Sequence, residues 1–411
     1  MKAGKILILL FLFYLIPVHA KYDPQNLKIR VFCIGESWVP YTKFPLLLKG
    51  DPRIFYVPIP ANIWESASTF EATFGGGGEN LVKKYVRIYL PRNYEEMVFS
   101  FDVALLADYE AWVIPNQIYE WIRRGVEEEG MGLAKYEINW DTGYIKGDFI
   151  ERWMATPVYP AFPSTFLIKK QVRKSNGIIP KEGNPVTDLP GISKYDLLRS
   201  GRYGIEVPRQ GAVVLAVFRR DPQRHPAMIS WRYGKGVSMS VLPGLDKIDP
   251  VALAEYPFYV DFWINQIYWV AGFPIPRDVQ LVSTVRHELL GYAEQKPLII
   301  SVMDFAEKFG ANIGRLEDEL GHADQIKAEA DELYLEERYD ECLEKVKEAY
   351  AALNKISDDA VREKQKALFW VYAVEWLSVT GVSLIVGIVV YTLMVKRKYY
   401  KEVAVTRRDG L

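Results

Sequence analysis

Polar side chains follow three apolar segments of the chain, at positions where each segment would end as a buried strand. They are Glu36, Ser37, Asp108, Tyr109, Glu137 and Asn139. Open α/β sheets bind ligands beyond the carboxyl ends of their parallel strands, so these six are candidate ligand-binding residues. Two or three carboxylates gathered there could transfer protons or hold a cation. Alternatively, the same side chains cap the following helices and line a solvated rim.

The segments that would position these residues alternate between strands and helices. Residues 27–34 (LKIRVFCI) and 101–107 (FDVALLA) are nearly continuous apolar runs, which is typical of strands buried on both faces. Residues 133–138 are expected to form a third strand. Residues 115–129 have the spacing of an amphipathic helix that starts at a proline and ends before Gly130. A short helix is expected at 93–98, between the first two strands. This β-α-β-α-β order predicts an α/β fold with a doubly wound parallel sheet.

The second half of this domain has less regular patterns. Residues 140–210 are irregular in pattern and rich in proline, glycine, tyrosine and charged residues, and we expect an irregular insertion or a long ordered excursion there. Residues 212–218 resume the sheet, and residues 228–242 are expected to form a β-hairpin around a glycine-rich turn. Residues 250–272 have the composition of one helix, whose many aromatic rings belong in a core rather than in a ligand site.

Helices are predicted between the sheet domain and the C-terminal apolar segment. From residue 304 the composition changes to glutamate, lysine, alanine and leucine, and residues 333–353 resemble one tetratricopeptide-type hairpin. A single such unit cannot form a solenoid, so residues 276–368 are interpreted as a helical stalk. Ser357 is predicted to cap a last helix that runs unbroken into the apolar segment.

Residues 1–20 have the three parts of a secretory signal peptide. Lys2 and Lys5 precede an apolar core, and Val18-His19-Ala20 provides small residues at the last and third-last positions before a cleavage site. The alternative is an uncleaved N-terminal anchor. Both interpretations place the domain at 21–275 outside the cytoplasm.

A second apolar segment is long enough to cross a membrane. Residues 376–395 carry no charge, and about 20 residues at a rise of ~1.5 Å cross a hydrocarbon core of ~30 Å. We predict a transmembrane helix at 369–395 and a basic cytoplasmic tail at 396–411, as the positive-inside rule requires. A buried core helix is the alternative. Glu375, at the outer edge, either makes a polar contact with a partner helix or is solvated among lipid headgroups.

Composition excludes several classes of function. The chain has 411 residues and a net charge of −1, so we expect no nucleic-acid partner, which would need a basic face. His225, His287 and His322 are too scattered for a zinc signature. We therefore expect no metal and no other cofactor. The predicted partners are the lipid bilayer and either another membrane protein or a second copy, bound through the stalk and span.

Several short motifs occur in the same order as in a known family. They are Ile34-Gly35-Glu36-Ser37-Trp38, FDVALLA followed by Asp108, the helix at Pro115, Gly130-Met131-Gly132-Leu133, and His225-Pro226 with Gly234-Lys235-Gly236. Over residues 27–272 the chain resembles the glutamine amidotransferase-like proteins of the class I amidotransferase-like, flavodoxin-like superfamily. Its C-terminal pattern, from ALFWVY at 367–372 to the basic tail, is similar to membrane-anchored prokaryotic, largely archaeal, members. The resemblance implies a flavodoxin-like fold.

The chain departs from this family at the residue that the family's reaction needs. A working class I amidotransferase has a cysteine nucleophile in a G-x-C-x-G turn, activated by a histidine and a glutamate. The corresponding strand here continues as Gly132-Leu-Ala-Lys-Tyr136-Glu137-Ile138 and has no cysteine. Cys33 belongs to a different strand. The resemblance therefore implies the fold without amidotransferase activity.

The first hypothesis is consequently a non-enzymatic cell-surface protein. Its catalytically degenerate amidotransferase-like ectodomain, held by a helical stalk and one span, would bind a partner in the same membrane or an envelope component. The second hypothesis is an envelope hydrolase or transferase that uses Glu36, Asp108 and Glu137. A solute-binding receptor is the third, although the lipobox cysteine of such lipoproteins is missing near residue 20.

Overall fold

The chain divides into two compact units, which we describe separately. The first comprises Met1–Ala293 and Ala328–Lys347, and the second comprises Glu294–Lys327 and Glu348–Leu411. The structure, a computed structural model, describes residues 27–35, 44–59, 87–107, 111, 114–136, 149–175, 177–198, 201–242, 244 and 248–408. The predicted signal peptide lies outside the described residues. The predicted boundaries between ectodomain, stalk, span and tail stay predictions.

An eight-stranded mixed sheet forms the centre of the first unit, beside a two-stranded ribbon. The described strands are β1 (Ile29–Gly35), β2 (Ile54–Ile59), β3 (Val103–Ala107), β4 (Gly132–Tyr136), β5 (Ser164–Ser175), β6 (Ile178–Pro180), β7 (Gly201–Pro208), β8 (Val213–Phe218), β9 (Pro226–Tyr233) and β10 (Gly236–Val241). The sheet has the order β2-β1-β3-β4-β10-β9-β8-β6. Strands β2, β1, β3, β4 and β10 are parallel, whereas β9, β8 and β6 add antiparallel pairs. The ribbon consists of β5 and β7.

Both faces of the sheet are buried, because successive side chains of a strand point to opposite sides. Val31 and Cys33 of β1 belong to one apolar cluster, which also contains Trp263. Phe32 and Ile34 belong to a second cluster on the other face. The apolar runs at 27–34 and 101–107 are thereby confirmed as buried strands.

Shorter helices of the first unit cover these two faces. They are α1 (Phe44–Leu47), α2 (Tyr94–Ser100), α3 (Asn116–Glu129), α4 (Phe149–Met154), α5 (Pro250–Glu255) and α6 (Tyr259–Ala271). Ile118 and Ile122 of α3 belong to the same cluster as Phe32, whereas nearly all of α6 is buried on the opposite face. The helix α3 follows Pro115 and ends at Gly130, whose φ of 80° is the left-handed value that favours glycine. The predicted helix at 115–129 is confirmed, and so is the assignment of the aromatic-rich segment to the core.

Three long helices complete the chain: α7 (Val279–Lys308), α8 (Gly314–Leu335) and α9 (Tyr339–Arg408). Within the first unit, their segments share a small apolar cluster that contains Leu289, Tyr334 and Val346. The predicted hairpin at 333–353 is confirmed, with Glu337 in the turn at a φ of 63°. These helix segments therefore pack into the same unit as the sheet.

The helix α9 is long and apolar enough to cross a membrane, by length and composition. An 18-residue window within its stretch Tyr339–Tyr400 has a mean hydropathy of 2.1, and none of that window is buried. Trp376 and Leu377 are both 73% exposed, and Val382 is 61% exposed. A helix with apolar side chains on every face suits a lipid surrounding. Its exposure contradicts the alternative of a core helix buried within this chain.

Two helix boundaries differ from the predictions. The expected helix at 250–272 is interrupted between α5 and α6, because Pro257 lacks a backbone N–H and disfavours helical backbone at Tyr256. Ser357 does not begin a helix but lies inside α9. The chain has no glycine or proline between Tyr339 and Thr380, so nothing in the sequence interrupts the helix there. The predicted unbroken course into the apolar segment is confirmed.

Three strands lie where we expected irregular structure, and a fourth, β2, lies in a segment for which we predicted no element. The strand β2 lies in a stretch rich in proline and glycine, and it is the outer strand beside β1, where Pro58 is tolerated. The strands β5, β6 and β7 lie within 140–210, the predicted irregular insertion. Each of these three pairs with a strand that is more than 25 residues away, so their local sequence contains little information about their conformation.

Candidate functional site

The carboxyl ends of four parallel strands meet in one row of the sheet. Gly35 of β1 pairs with Ala107 of β3, and Ala107 pairs in turn with Tyr136 of β4. Tyr136 also pairs with Val241 of β10. The four strands therefore end at the same edge, which is where open α/β sheets bind their ligands.

The six predicted ligand-binding residues come directly after this row. They are Glu36, Ser37, Asp108, Tyr109, Glu137 and Asn139, and all of them lie outside the described residues. Glu36, Asp108 and Glu137 are each the next residue after a member of the paired row Gly35–Ala107–Tyr136. The aligned strand ends are the part of the site that the structure describes, and the use of the six side chains stays a prediction.

A buried ion pair lies one residue below this edge. The Lys135 ammonium on β4 contacts the Glu206 carboxylate on β7, and both side chains are 1% exposed. Glu206 also accepts hydrogen bonds from the hydroxyls of Ser164 and Ser240, the latter at 2.7 Å. The Lys135 nitrogen lies 4.8 Å from the centre of the Phe166 ring. The pair therefore links the central strand β4 to the ribbon.

The chemistry open to Lys135 is limited by its burial. Burial lowers the pKa of Lys135, and the charge of Glu206 opposes that change. A neutral lysine amine is a nucleophile, but the Lys135 residue is 0% exposed. A solvent-borne substrate therefore has no access to its nitrogen. The arrangement is a structural link beneath the edge rather than a reactive group on it.

Tyr136 closes β4 on the opposite face. Its ring centre lies 5.9 Å from that of Phe44 and 6.3 Å from that of Trp263. Burial raises the pKa of Tyr136, and the charge of a Cys33 thiolate would raise it further. The buried hydroxyl has no hydrogen-bond partner among the residues that the structure describes. A phenol held protonated in this way can donate a hydrogen bond, but it cannot serve as a base at neutral pH.

Neither thiol of the chain reaches solvent. Cys33 and Cys342 are the two cysteines of the sequence, and both are 0% exposed. Cys33 lies among apolar side chains in the middle of β1, and Cys342 lies in the small apolar cluster of the long helices. A cysteine nucleophile needs access to substrate and a group that stabilises its thiolate. Neither cysteine meets the first requirement.

Close backbone packing explains two of the glycines on which the family resemblance rests. A Cβ atom on Gly132 would lie 2.4 Å from the carbonyl oxygen of Val270, and one on Gly236 would lie 2.3 Å from that of Met131. Backbone segments that approach this closely leave no room for a side chain. These glycines are therefore required by the packing of β4, β10 and α6, and no active site needs to be invoked for them.

Sequence reasoning missed the pair of Lys135 and Glu206. Lys135 was detectable in part, because a lysine inside an apolar strand such as GLAKY needs an opposite charge when it is buried. Its partner is 71 residues away in the segment expected to be irregular, so no local pattern joins the two. In the part of the chain that the structure describes, no group of three or more histidine, cysteine, aspartate or glutamate residues could hold a metal ion.

Glu375 lies on α9 with its side chain exposed, at the start of the apolar segment. Its predicted contact with a partner helix stays a prediction.

Comparisons with known proteins leave the family open. No protein-family model matches the chain, and no curated protein is significantly similar to it. The cytoplasmic protein STM1381 from Salmonella typhimurium LT2 has a solved structure that is 17% identical, with a TM-score of 0.43, over 59% of this chain and 99% of that one. The cytoplasmic protein STM3548 from Salmonella typhimurium is 18% identical with a TM-score of 0.42 over the same shares.

The exo-beta-1,4-mannosidase Op5Man5 from Opitutaceae bacterium strain TAV5 is 15% identical with a TM-score of 0.25, over 43% of this chain and 26% of its own length. At these TM-scores and identities, none of the three likenesses assigns a fold family, a compartment or an activity to this chain.

Proposed function

We propose that this protein is a single-pass, cell-surface membrane protein whose catalytically degenerate, amidotransferase-like ectodomain works by binding. It acts on its own or as a subunit of an envelope or membrane complex. The observation that carries the proposal is the burial of both cysteines at 0% exposure, because a class I amidotransferase reaction needs an accessible thiol.

The parallel part of the sheet supports the flavodoxin-like assignment. Its order β2-β1-β3-β4-β10 is the order 2-1-3-4-5 of doubly wound flavodoxin-like sheets. The strand β4, which would lead into the nucleophile turn, ends instead in buried Lys135 and Tyr136. A domain that has lost its catalytic activity but still binds a partner would keep the family's fold and lack the family's nucleophile.

The C-terminal part of α9 supports the anchor. Its exposed apolar segment is flanked by Trp370 and Tyr372, 67% and 58% exposed, and by Lys396, Arg397 and Lys398. Aromatic residues favour the membrane interface, and basic residues favour the cytoplasmic side. The proposed topology therefore has the sheet domain outside, one span, and a cytoplasmic tail.

The partners that this topology favours are the lipid bilayer and a protein in the same membrane. That protein is either another membrane protein or a second copy of the chain, bound through stalk and span. Ser383 and Gly387 are small residues one helical turn apart, and they would let another helix approach closely. Glu375 would add a polar contact at the outer edge.

Two measurements on the full chain, extracted from its native membrane in mild detergent, test this proposal. We expect no glutamine-dependent release of ammonia above the blank, and no difference between the wild type and the Cys33→Ser variant. In native gel electrophoresis we expect the chain to migrate above its monomer mass in the membrane extract. Ammonia release that Cys33→Ser abolishes would overturn the loss of catalysis. A chain that is monomeric in the native extract would overturn the role as a complex subunit.

The second candidate function is an envelope hydrolase or transferase that uses the carboxylates following the paired strand ends. The alignment of Gly35, Ala107 and Tyr136 favours it, since these residues immediately precede Glu36, Asp108 and Glu137. A triple variant with alanine at these three positions should fold normally and lose turnover of any envelope substrate that the wild type converts. Unchanged turnover in the triple variant would exclude this candidate.

A further inference from the structure

The hairpin between α7 and α8 in the second unit presents exposed aromatic rings at its tip. Phe305 lies in the last turn of α7 and Phe309 directly follows the helix, with ring centres 4.7 Å from each other. They are 36% and 40% exposed, and Leu298, two turns earlier, is 67% exposed. Large apolar side chains grouped in this way on a surface need a non-aqueous partner.

Two contacts within the second unit fix the level of this tip along α9. The Gln295 amide donates a hydrogen bond to Asn354 at 2.7 Å, and the Lys364 nitrogen lies 4.8 Å from the centre of the Phe305 ring. In both contacts the residue on α9 comes 59 positions after the residue on α7. The two helices therefore run parallel and in step over this stretch, because equal numbers of residues advance both by equal lengths.

With the same offset of 59 positions, the residue of α9 that lies beside Phe309 along the helix axis is Leu368. The next residues of α9 are Phe369 and Trp370, 66% and 67% exposed, with which the exposed apolar segment begins. The turn then reverses at Gly310, whose φ is 88°, and Arg315 of α8 contacts Asp359 at 3.1 Å. The helix α7 therefore runs toward the apolar segment as far as Phe309, and α8 runs back in the opposite direction.

We propose that the tip of the α7–α8 hairpin, with Phe309 foremost and Phe305 behind it, inserts into the interfacial layer of the same lipid bilayer that α9 spans. The inference rests on the proposed function, because it needs α9 to span. Its ligand is a lipid surface, and what favours that occupant is the match in level between Phe309 and the aromatic start of the apolar segment. Aromatic rings are favoured at the depth of the headgroups, where Lys308 beside them keeps its charge in water.

Spin-label accessibility in vesicles tests this proposal. The wild-type chain provides a low background because Cys33 and Cys342 are buried. Full-length Phe309→Cys, Ser301→Cys and Val389→Cys variants are labelled with a nitroxide and reconstituted into phosphatidylcholine vesicles. Power saturation then compares the accessibility of each label to oxygen, which concentrates in lipid, and to a water-soluble nickel chelate.

We expect the label at position 309 to be several-fold less accessible to the nickel chelate than the label at 301, and more accessible to oxygen. Position 301 is the matched control, because exposed Ser301 lies on α7 about 12 Å farther from the apolar segment at ~1.5 Å per residue. The label at 389 should be the most lipid-like of the three. A Phe305→Cys variant gives a second, independent measurement of label accessibility one helical turn before Phe309.

The outcomes separate this inference from the proposed function. If the label at 389 is lipid-like while those at 305 and 309 match 301, the span holds and the docking of the tip is overturned. If 389 is as accessible to the chelate as 301, both the span and the docking fail. Protection of 309 from both reagents, with dipolar broadening that disappears on dilution with unlabelled chain, would identify a second copy as the occupant and would also overturn the proposal.

Discussion

Asp51 and Arg286 form a buried ion pair inside the first unit, 235 residues apart in the sequence. The Oδ2 atom of Asp51 lies 2.7 Å from Nη2 and 3.1 Å from Nε of Arg286. The same oxygen accepts hydrogen bonds from the hydroxyls of Tyr268, at 2.8 Å, and Tyr334, at 2.7 Å. Arg286 also contacts Asp261 at 2.6 Å. One carboxylate thus joins a loop before β2 to α6, α7 and α8.

Replacing Asp51 by asparagine should destabilise the first unit strongly. The variant keeps the shape of the side chain but leaves Arg286 with half of its buried counter-charge, and breaking a buried pair costs about 3–5 kcal/mol. Urea unfolding of the full chain in detergent, followed by tryptophan fluorescence, measures the loss. The control is Arg338→Ala, which removes the exposed pair with Glu341 and should leave the midpoint unchanged. Equal midpoints for the two variants would contradict the importance of this pair.

The pair of Lys135 and Glu206 predicts that a second substitution restores stability lost by the first. Lys135→Met leaves the Glu206 carboxylate buried beside Ser164 and Ser240, and we expect a loss of about 3–5 kcal/mol in unfolding free energy. The double variant Lys135→Met with Glu206→Gln removes both charges and keeps an acceptor for the two hydroxyls. It should recover most of the loss in the same unfolding assay. A double variant no more stable than the single one would contradict the account of a coupled pair.

Asp221 predicts a specific dependence of stability on pH. Partial burial raises the pKa of Asp221, but hydrogen bonds from the backbone and ring of His225 outweigh it, so that its pKa falls below the usual 3.8. The ring nitrogen Nδ1 of His225 lies 2.6 Å from the carboxylate. A carboxylate with a lowered folded-state pKa stabilises the protein above pH 3.8, and this contribution is lost as the pH falls through the folded-state pKa.

The stability difference between the wild type and Asp221→Asn should therefore shrink as the pH falls below about 4. Unfolding midpoints of both proteins across this range provide the measurement. A difference that stays constant or grows between pH 5 and pH 3 would show that the carboxylate is not stabilised by His225.

The elements that could be predicted from sequence are those whose signals are local. β1 and β3 are apolar runs, and α3 has Pro115 at its start and Gly130 at its end. The interruption before α6 was also present in the sequence as Pro257, but the continuous aromatic pattern around it concealed the break. Propensity and periodicity detect such segments because each residue's burial follows from its neighbours in the chain.

The parts that could not be predicted depend on distant partners. Glu206 would be an ordinary exposed carboxylate in a polar strand without Lys135, and Asp51 would be an ordinary turn residue without Arg286. The candidate site was predictable only as an edge of the sheet. The pairing of Gly35, Ala107 and Tyr136 shows that these strands end at the same edge of the sheet. The ligand-binding role of the side chains that follow stays a prediction.

Topology in intact cells tests the central claim most directly. Two variants, each with one added cysteine, are labelled with a membrane-impermeant maleimide: Glu255→Cys, at an exposed position of α5, and Tyr400→Cys, at a position 75% exposed in the predicted tail. The wild type is the blank because Cys33 and Cys342 are buried. The account predicts labelling at 255 in intact cells, and labelling at 400 only after permeabilisation. Protection of both positions in intact cells, with release of the chain from membranes by alkaline carbonate, would contradict it.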